Sequence, residues 1–145
     1  MQIATYLNFD GNCEEAFRFY ERLLGGKIEF ILSHGDSPIA DQVPEAWHPR
    51  VMHARLAVGD QLLLASDCPP ESYEPPRGIF VMLNVDDATE AERVFRGLEE
   101  GGRATTPFGE TFWADRFGMV VDRFGIPWMV NYAGSKAAVD VGRPA

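Results

Sequence analysis

The chain carries one supersecondary unit twice. Leu7-Asn8-Phe9-Asp10 leads into an amphipathic stretch over 14–24 that stops at Gly25-Gly26. Leu83-Asn84-Val85-Asp86 leads into a second over 88–99 that stops at Gly101-Gly102. Leu7 to Leu83 and Gly25 to Gly101 are the same displacement of 76 residues. A repeat fixes architecture before any residue has a role, because each copy must bury the same faces. Two strand–helix units in 145 residues predict two matched half-sheets with a cavity where they meet.

Each copy can be followed residue by residue. Residues 1–9 read as a strand, and Asp10, Gly11 and Asn12 supply turn and N-cap chemistry for the helix that follows. Ala16, Phe17, Tyr20, Leu23 and Leu24 form its apolar stripe, and Gly25 can take the left-handed cap. Strands are predicted over 27–33, 51–58 and 61–66, the last two joined at Gly59-Asp60. The second copy predicts a strand over 79–85, a helix over 88–99 with Ala91, Val94, Phe95 and Leu98 inward, and strands over 103–108, 117–121 and 127–131. The boundaries are a first module over 1–67, a Pro-rich linker over 68–78, a second module over 79–132 and a frayed tail over 133–145. The order is βαβββ–βαβββ. The fold class is α+β, two paired modules forming a curved mixed sheet around a cavity, with the helices on the outer face.

A net charge of −9 argues against nucleic acid and anionic membranes as partners, and favours a cationic or neutral ligand. No apolar run is long enough to span a bilayer. Cys13 and Cys68 lie far apart in no CxxC spacing, so a reduced, cytoplasmic protein is expected.

The order of elements, with Phe19-Tyr20, Gly25-Gly26 and Asp122-Arg-Phe-Gly125, resembles the vicinal oxygen chelate superfamily. That group includes glyoxalase I, bleomycin-resistance proteins, fosfomycin-resistance enzymes and extradiol dioxygenases. Tyr6-Leu-Asn-Phe-Asp-Gly-Asn12, Met52-His-Ala54, Phe112-Trp-Ala114, Arg116-Phe-Gly118 and Asp122-Arg-Phe-Gly-Ile-Pro-Trp128 resemble its PhnB-like branch, over about Met1 to Tyr132. An old methyltransferase name attached to that branch finds no support, since no glycine-rich nucleotide-binding motif is present. The resemblance implies a homodimer and, in the metalloenzymes, a ligand on the first and last strand of each module.

Those ligand positions fall near Ala4, Phe80, Leu63 and Met129. Hydrocarbon side chains offer a hard cation no lone pair, and a slip of one residue reaches only Ile3, Thr5, Ile79, Val81, Leu62, Leu64, Trp128 or Val130. The expectation is no metal and no cofactor.

Candidate ligand contacts follow from alternation. His53 and Arg55 share the strand face opposite Met52, Ala54, Leu56 and Val58, and so point away from the helix. His53 is the best candidate for acid–base chemistry; the alternative is a solvated edge or a His paired to Asp67. Glu110, Trp113 and Arg116 flank one strand entry, where Trp and Arg suit a flat, anionic ligand; a core Trp and a surface Arg are the plainer reading. Tyr6, Asn8 and Asn84 face away from the helices, the two asparagines at equivalent positions, unless they bond the local backbone. Cys13 opens a helix, whose dipole could lower a thiol pKa, but no His or Lys lies near it in sequence and an inert cysteine is the plainer reading. Asp41, Glu45, Trp47 and His48 lie in a long loop that serves as a lid or a plain surface.

Two functions of different class follow. The leading one is metal-independent binding of a small organic molecule in the cavity. The competing one is an enzyme: a metal-dependent lyase or isomerase, or one using His53 with a carboxylate such as Asp67 or Glu110 in reach.

Overall fold

A computed structural model describes residues 1–139. The chain divides into two compact units, Met1–Glu74 and a second from Pro75 onward. In the first, β1 (Thr5–Phe9), α1 (Cys13–Leu24), β2 (Lys27–Ser33), β3 (Val51–Val58) and β4 (Gln61–Asp67) form a four-stranded sheet in the order β1-β4-β3-β2 under one helix. In the second, β5 (Val81–Asn84), α2 (Ala88–Glu99), β6 (Arg103–Gly109), β7 (Arg116–Val121) and β8 (Pro127–Tyr132) repeat the plan as β5-β8-β7-β6. β1 runs parallel to β4 and β5 to β8, while the other pairs are antiparallel. The fold is α+β with two βαβββ modules.

Each helix covers one face of its own sheet. α1 buries Cys13, Ala16, Phe17, Tyr20 and Leu23. On the sheet Leu7, Phe9, Ala54, Leu56, Leu63 and Ala65 are buried. α2 buries Ala91, Val94, Phe95 and Leu98, and Val120, Trp128 and Val130 are fully buried on the strands. Twelve-residue helices are marginal alone, so these apolar stripes, not intrinsic propensity, hold them in place.

Several expectations shift. The first strand begins at Thr5 and the strand expected over 79–85 is only Val81–Asn84. Asn12 occupies the N-cap of α1 but accepts no cap bond. The Asp67 carboxylate accepts from Cys13 N at 2.9 Å instead. The tail expected to fray is structured further than the sequence suggested. Gly134–Val139 forms a 3₁₀ segment, with Ser135 donating to Asp115 through both its hydroxyl (2.7 Å) and its backbone N–H (2.8 Å). The rest of that expected tail, 140–145, lies outside the described residues.

Candidate ligand-binding faces

On β3 burial alternates from His53 to Leu56. Ala54 and Leu56 are buried, whereas His53 is half-buried and Arg55 exposed on the helix-free face. Beside His53 stand two rings from other strands. Tyr6 stacks on it at a centroid distance of 5.9 Å and 25° between planes, with Tyr6 Oη 3.3 Å from His53 Nδ1. When that hydroxyl donates, Nδ1 is the bare nitrogen and Nε2 carries the proton. Phe30, from β2, lies 6.0 Å away on the other side. Tyr6 and Phe30 are 49 % and 45 % exposed, so the cluster offers ring surface to a ligand rather than closing on itself. Arg55 Nε donates to Glu29 Oε1 at 2.9 Å, so these two opposite charges offset each other.

Phe30 and Glu29 were not anticipated. A β-bulge brings them there: Ile28 pairs with Leu56 and Phe30 with Arg55, so two residues of β2 oppose one step of β3. Bulges are not written in hydrophobic periodicity.

The enzymatic reading asked for a carboxylate beside His53. Asp67 does not fill that role, because Oδ1 takes Cys13 N and Oδ2 takes Val51 N at 2.8 Å. Glu110 is engaged by Lys136 Nζ at 3.2 Å. Asn8 Oδ1 accepts from Ser66 Oγ at 3.3 Å, and Asn84 Oδ1 from Asn131 Nδ2 at 3.2 Å. Both asparagines therefore bond across to the neighbouring strand, at equivalent positions, and not to the local backbone.

The trio expected at the β7 entry is divided. Glu110 and Arg116 line a groove of about 750 Å³ against the first turns of α2, together with Thr89, Arg93, Asp115 and Tyr132. Arg116 Nη1 there donates to the Asp115 carbonyl at 2.7 Å. Hydrogen bonds from the Ser135 hydroxyl, then from its backbone N–H, hold the exposed Asp115 carboxyl below its ordinary range. Trp113 instead packs edge-to-face on Phe117 at 5.2 Å and on the exposed Phe112 at 4.9 Å.

Cys13 is a buried thiol, in line with the inert alternative. Burial pushes its thiol pKa strongly up, and the nearby charges of Asp67 and Glu14 add to that; the helix dipole does not prevail. The loop over 34–50 bonds within itself: Gly35 N donates to His48 O at 3.0 Å, His48 Nε2 lies 3.0 Å from Ala40 O, and Trp47 packs on His34. Asp41 lies within the first of its two short 3₁₀ turns, Ala40–Gln42, and Glu45 opens the second, Glu45–Trp47.

The register also tests the metal positions. Tyr6 pairs with Leu64 and Met82 with Met129, so Leu64, not the buried Leu63, is the counterpart of Met129. Ala4, Leu64, Phe80 and Met129 supply no nitrogen or oxygen side-chain donor. Among the described residues no three His, Cys, Asp or Glu side chains gather into a metal-binding group. The donor set of the metalloenzymes does not fit these residues.

Comparison with known proteins agrees with the geometry. Protein YjdN of Escherichia coli (strain K12) is 32 % identical over 139 residues, covering 90 % of this chain and 95 % of its own. The crystal structure of protein PA1353 from Pseudomonas aeruginosa matches with a TM-score of 0.84 and 51 % identity, over 91 % of this chain and 97 % of that one. The PhnB protein from Bacillus cereus shares the fold, with a TM-score of 0.76 at 24 % identity, over 92 % of this chain and 100 % of that one. The family model matches residues 2–130, so the chain belongs to the Glyoxalase/Bleomycin resistance protein/Dioxygenase superfamily.

Proposed function

We propose that this chain binds a small organic molecule, without a metal ion, on the helix-free faces of its sheets. The observation that carries the reading is the Tyr6–His53–Phe30 cluster: three rings on three strands, presented on the face no helix covers. Tyr6, Phe30 and His53 supply flat apolar surface, and the polar edge comes from Asn8, Ser66 and Arg55. On the second sheet Asn84 and Trp113 take the corresponding part. Glu110 and Arg116 serve a separate polar groove beside α2. The acidic chain favours a cation over an anion as ligand at the ring cluster, where a positive charge gains from the ring faces. The reading includes a homodimer in the reducing cytoplasm, consistent with the free thiols Cys13 and Cys68.

Metal analysis of dialysed protein, together with melting curves against a panel of aromatic ammonium compounds, tests it. The expected result is metal-free protein whose melting temperature rises with at least one compound, and a rise abolished by Tyr6→Leu and by His53→Ala. Stoichiometric metal that survives dialysis would sink the reading, and so would a thermal shift indifferent to both substitutions.

A further inference from the structure

The second sheet carries an arrangement that no expectation anticipated. Met82 pairs with Met129, Met129 with Met119, and Met119 with Thr106, so three thioethers stand in register across β5, β8 and β7. Directly paired residues share a face. That face is the one opposite α2, because the intervening residues Val120, Trp128 and Val130 are fully buried and Gly118 lies against Phe95. Three of the chain's five methionines thus form one row. Met82, at its end, is 40 % exposed, and Met119 and Met129 are half-buried. Thr106 Oγ1 donates to Met119 Sδ at 3.4 Å, which fixes that end of the row.

The next row differs in chemistry. Asn84 pairs with Asn131, Asn131 with Phe117 and Phe117 with Gly109. The Asn131 amide donates to Asn84 Oδ1 at 3.2 Å, which engages the carbonyl end of the exposed Asn84 and leaves its NH₂ group as the end that can donate to a ligand. Trp113 closes the Phe117 end edge-to-face. Neither row contains a charged side chain.

Unbranched thioethers adapt to irregular ligand shapes and make favourable contacts with aromatic rings. An uncharged platform gives a buried ligand charge no partner, so desolvation selects against ions. An amide edge beside the platform rewards a ligand edge that both accepts and donates. We propose that this face is a subsite for a neutral, flat aromatic bearing a carboxamide or lactam edge: the rings lie on Met82, Met129 and Met119, and the edge meets Asn84. The inference rests on the reading of the helix-free faces as ligand surfaces and adds the chemical class that the second face selects.

Protein labelled with ¹³C in the methionine methyl groups, titrated with 2-naphthamide, 2-naphthoate and 2-naphthylmethylammonium, tests this directly. The methyl signals of Met82, Met119 and Met129 should shift saturably with the carboxamide, while those of Met1 and Met52 stay fixed. Because the platform cannot offset a buried charge, the carboxamide should bind at least about tenfold more tightly than either ion. Met129→Leu should weaken binding several-fold with the fold intact by circular dichroism. Asn84→Leu should remove the preference for the carboxamide while the naphthalene still binds. Equal affinities for all three probes would overturn the proposal, as would silver(I) moving the three signals when no aromatic probe does. Silent row methyls beside melting-temperature gains from the aromatic ammonium panel would overturn this inference alone. Silence in both experiments would remove the broader reading with it.

Discussion

The Asp67 carboxylate receives the backbone N–H of Cys13, 54 positions earlier in the chain, at 2.9 Å, and so begins a helix whose own N-cap residue does not. Its other oxygen takes Val51 N at 2.8 Å. One buried side chain therefore ties the start of α1 to the start of β3 at the end of β4. Asp67→Ala would strand two N–H groups, and a loss of about 3 kcal/mol in unfolding free energy is expected from urea titration. Asp67→Asn, which keeps one acceptor, should cost less. Equal stability of Asp67→Ala and the parent protein would refute the tie.

The Cys13 side chain is buried at the same helix start. Its thiol is pushed up chiefly by burial and then by the Asp67 and Glu14 charges, so the folded protein keeps the proton that the unfolded chain releases near the ordinary thiol value, about 8.5. The folded state then binds more protons than the unfolded one above that pH. The associated stability is complete below about pH 8.5 and is lost as pH rises beyond it. Cys13→Ala should flatten the alkaline limb of a stability–pH curve. In the native protein a thiol reagent at pH 8 should modify the half-buried Cys68 and spare Cys13 until the chain unfolds.

Asp122 holds the β7–β8 turn in the way Asp67 holds α1. Its Oδ1 accepts from Phe124 N and Ile126 N, both at 2.9 Å, and its Oδ2 from the Trp128 indole at 2.9 Å. The Asp122-Arg-Phe-Gly-Ile-Pro-Trp128 run is thus a hairpin clasp. Asp122→Ala should lower stability by roughly 3 kcal/mol or more, since three donors lose their acceptor in a buried setting. The fully buried Trp128 should report the change as altered tryptophan emission in the folded baseline.

Gly118 has a steric reason to lack a side chain. A β-carbon there would lie 2.6 Å from Phe95 Cε2 and 3.0 Å from Phe95 Cζ. The ring has little room to retreat, being stacked on Phe108 at 4.7 Å. Gly118→Ala should destabilise by about 1–3 kcal/mol through overpacking, read as a lower midpoint in thermal or urea unfolding. The pair Gly118→Ala with Phe95→Leu should recover part of that loss, a coupling that a purely local backbone effect would not produce.

Much of the fold was legible because it rests on periodicities. The repeat displacement, the stripe Ala16–Phe17–Tyr20–Leu23, the turn at Gly59-Asp60 and the outward face of His53 and Arg55 are all local patterns. Each survives in the structure because a strand alternates with period two and a helix returns every 3.6 residues. The candidate site was legible only one strand at a time. Nothing near Tyr6 in sequence announces His53, which reaches it across β4, and Phe30 joins them only through a bulge.

The asparagines show the same division. Alternation put Asn8 and Asn84 on the helix-free faces, but their partners Ser66 and Asn131 are set by strand register. Register also decided that Leu64, and not Leu63, corresponds to Met129, and it aligned Met82, Met129 and Met119 into a row. By itself the sequence determined two βαβββ modules, the buried face of each helix and the lack of hard-ligand side chains at four positions, because apolar spacing and residue chemistry are properties of the chain. The capping of α1 by Asp67, the ring cluster on His53 and the methionine row were decided by tertiary structure alone. Those contacts join residues dozens of positions apart, and only the pairing of strands brings them within a few ångströms.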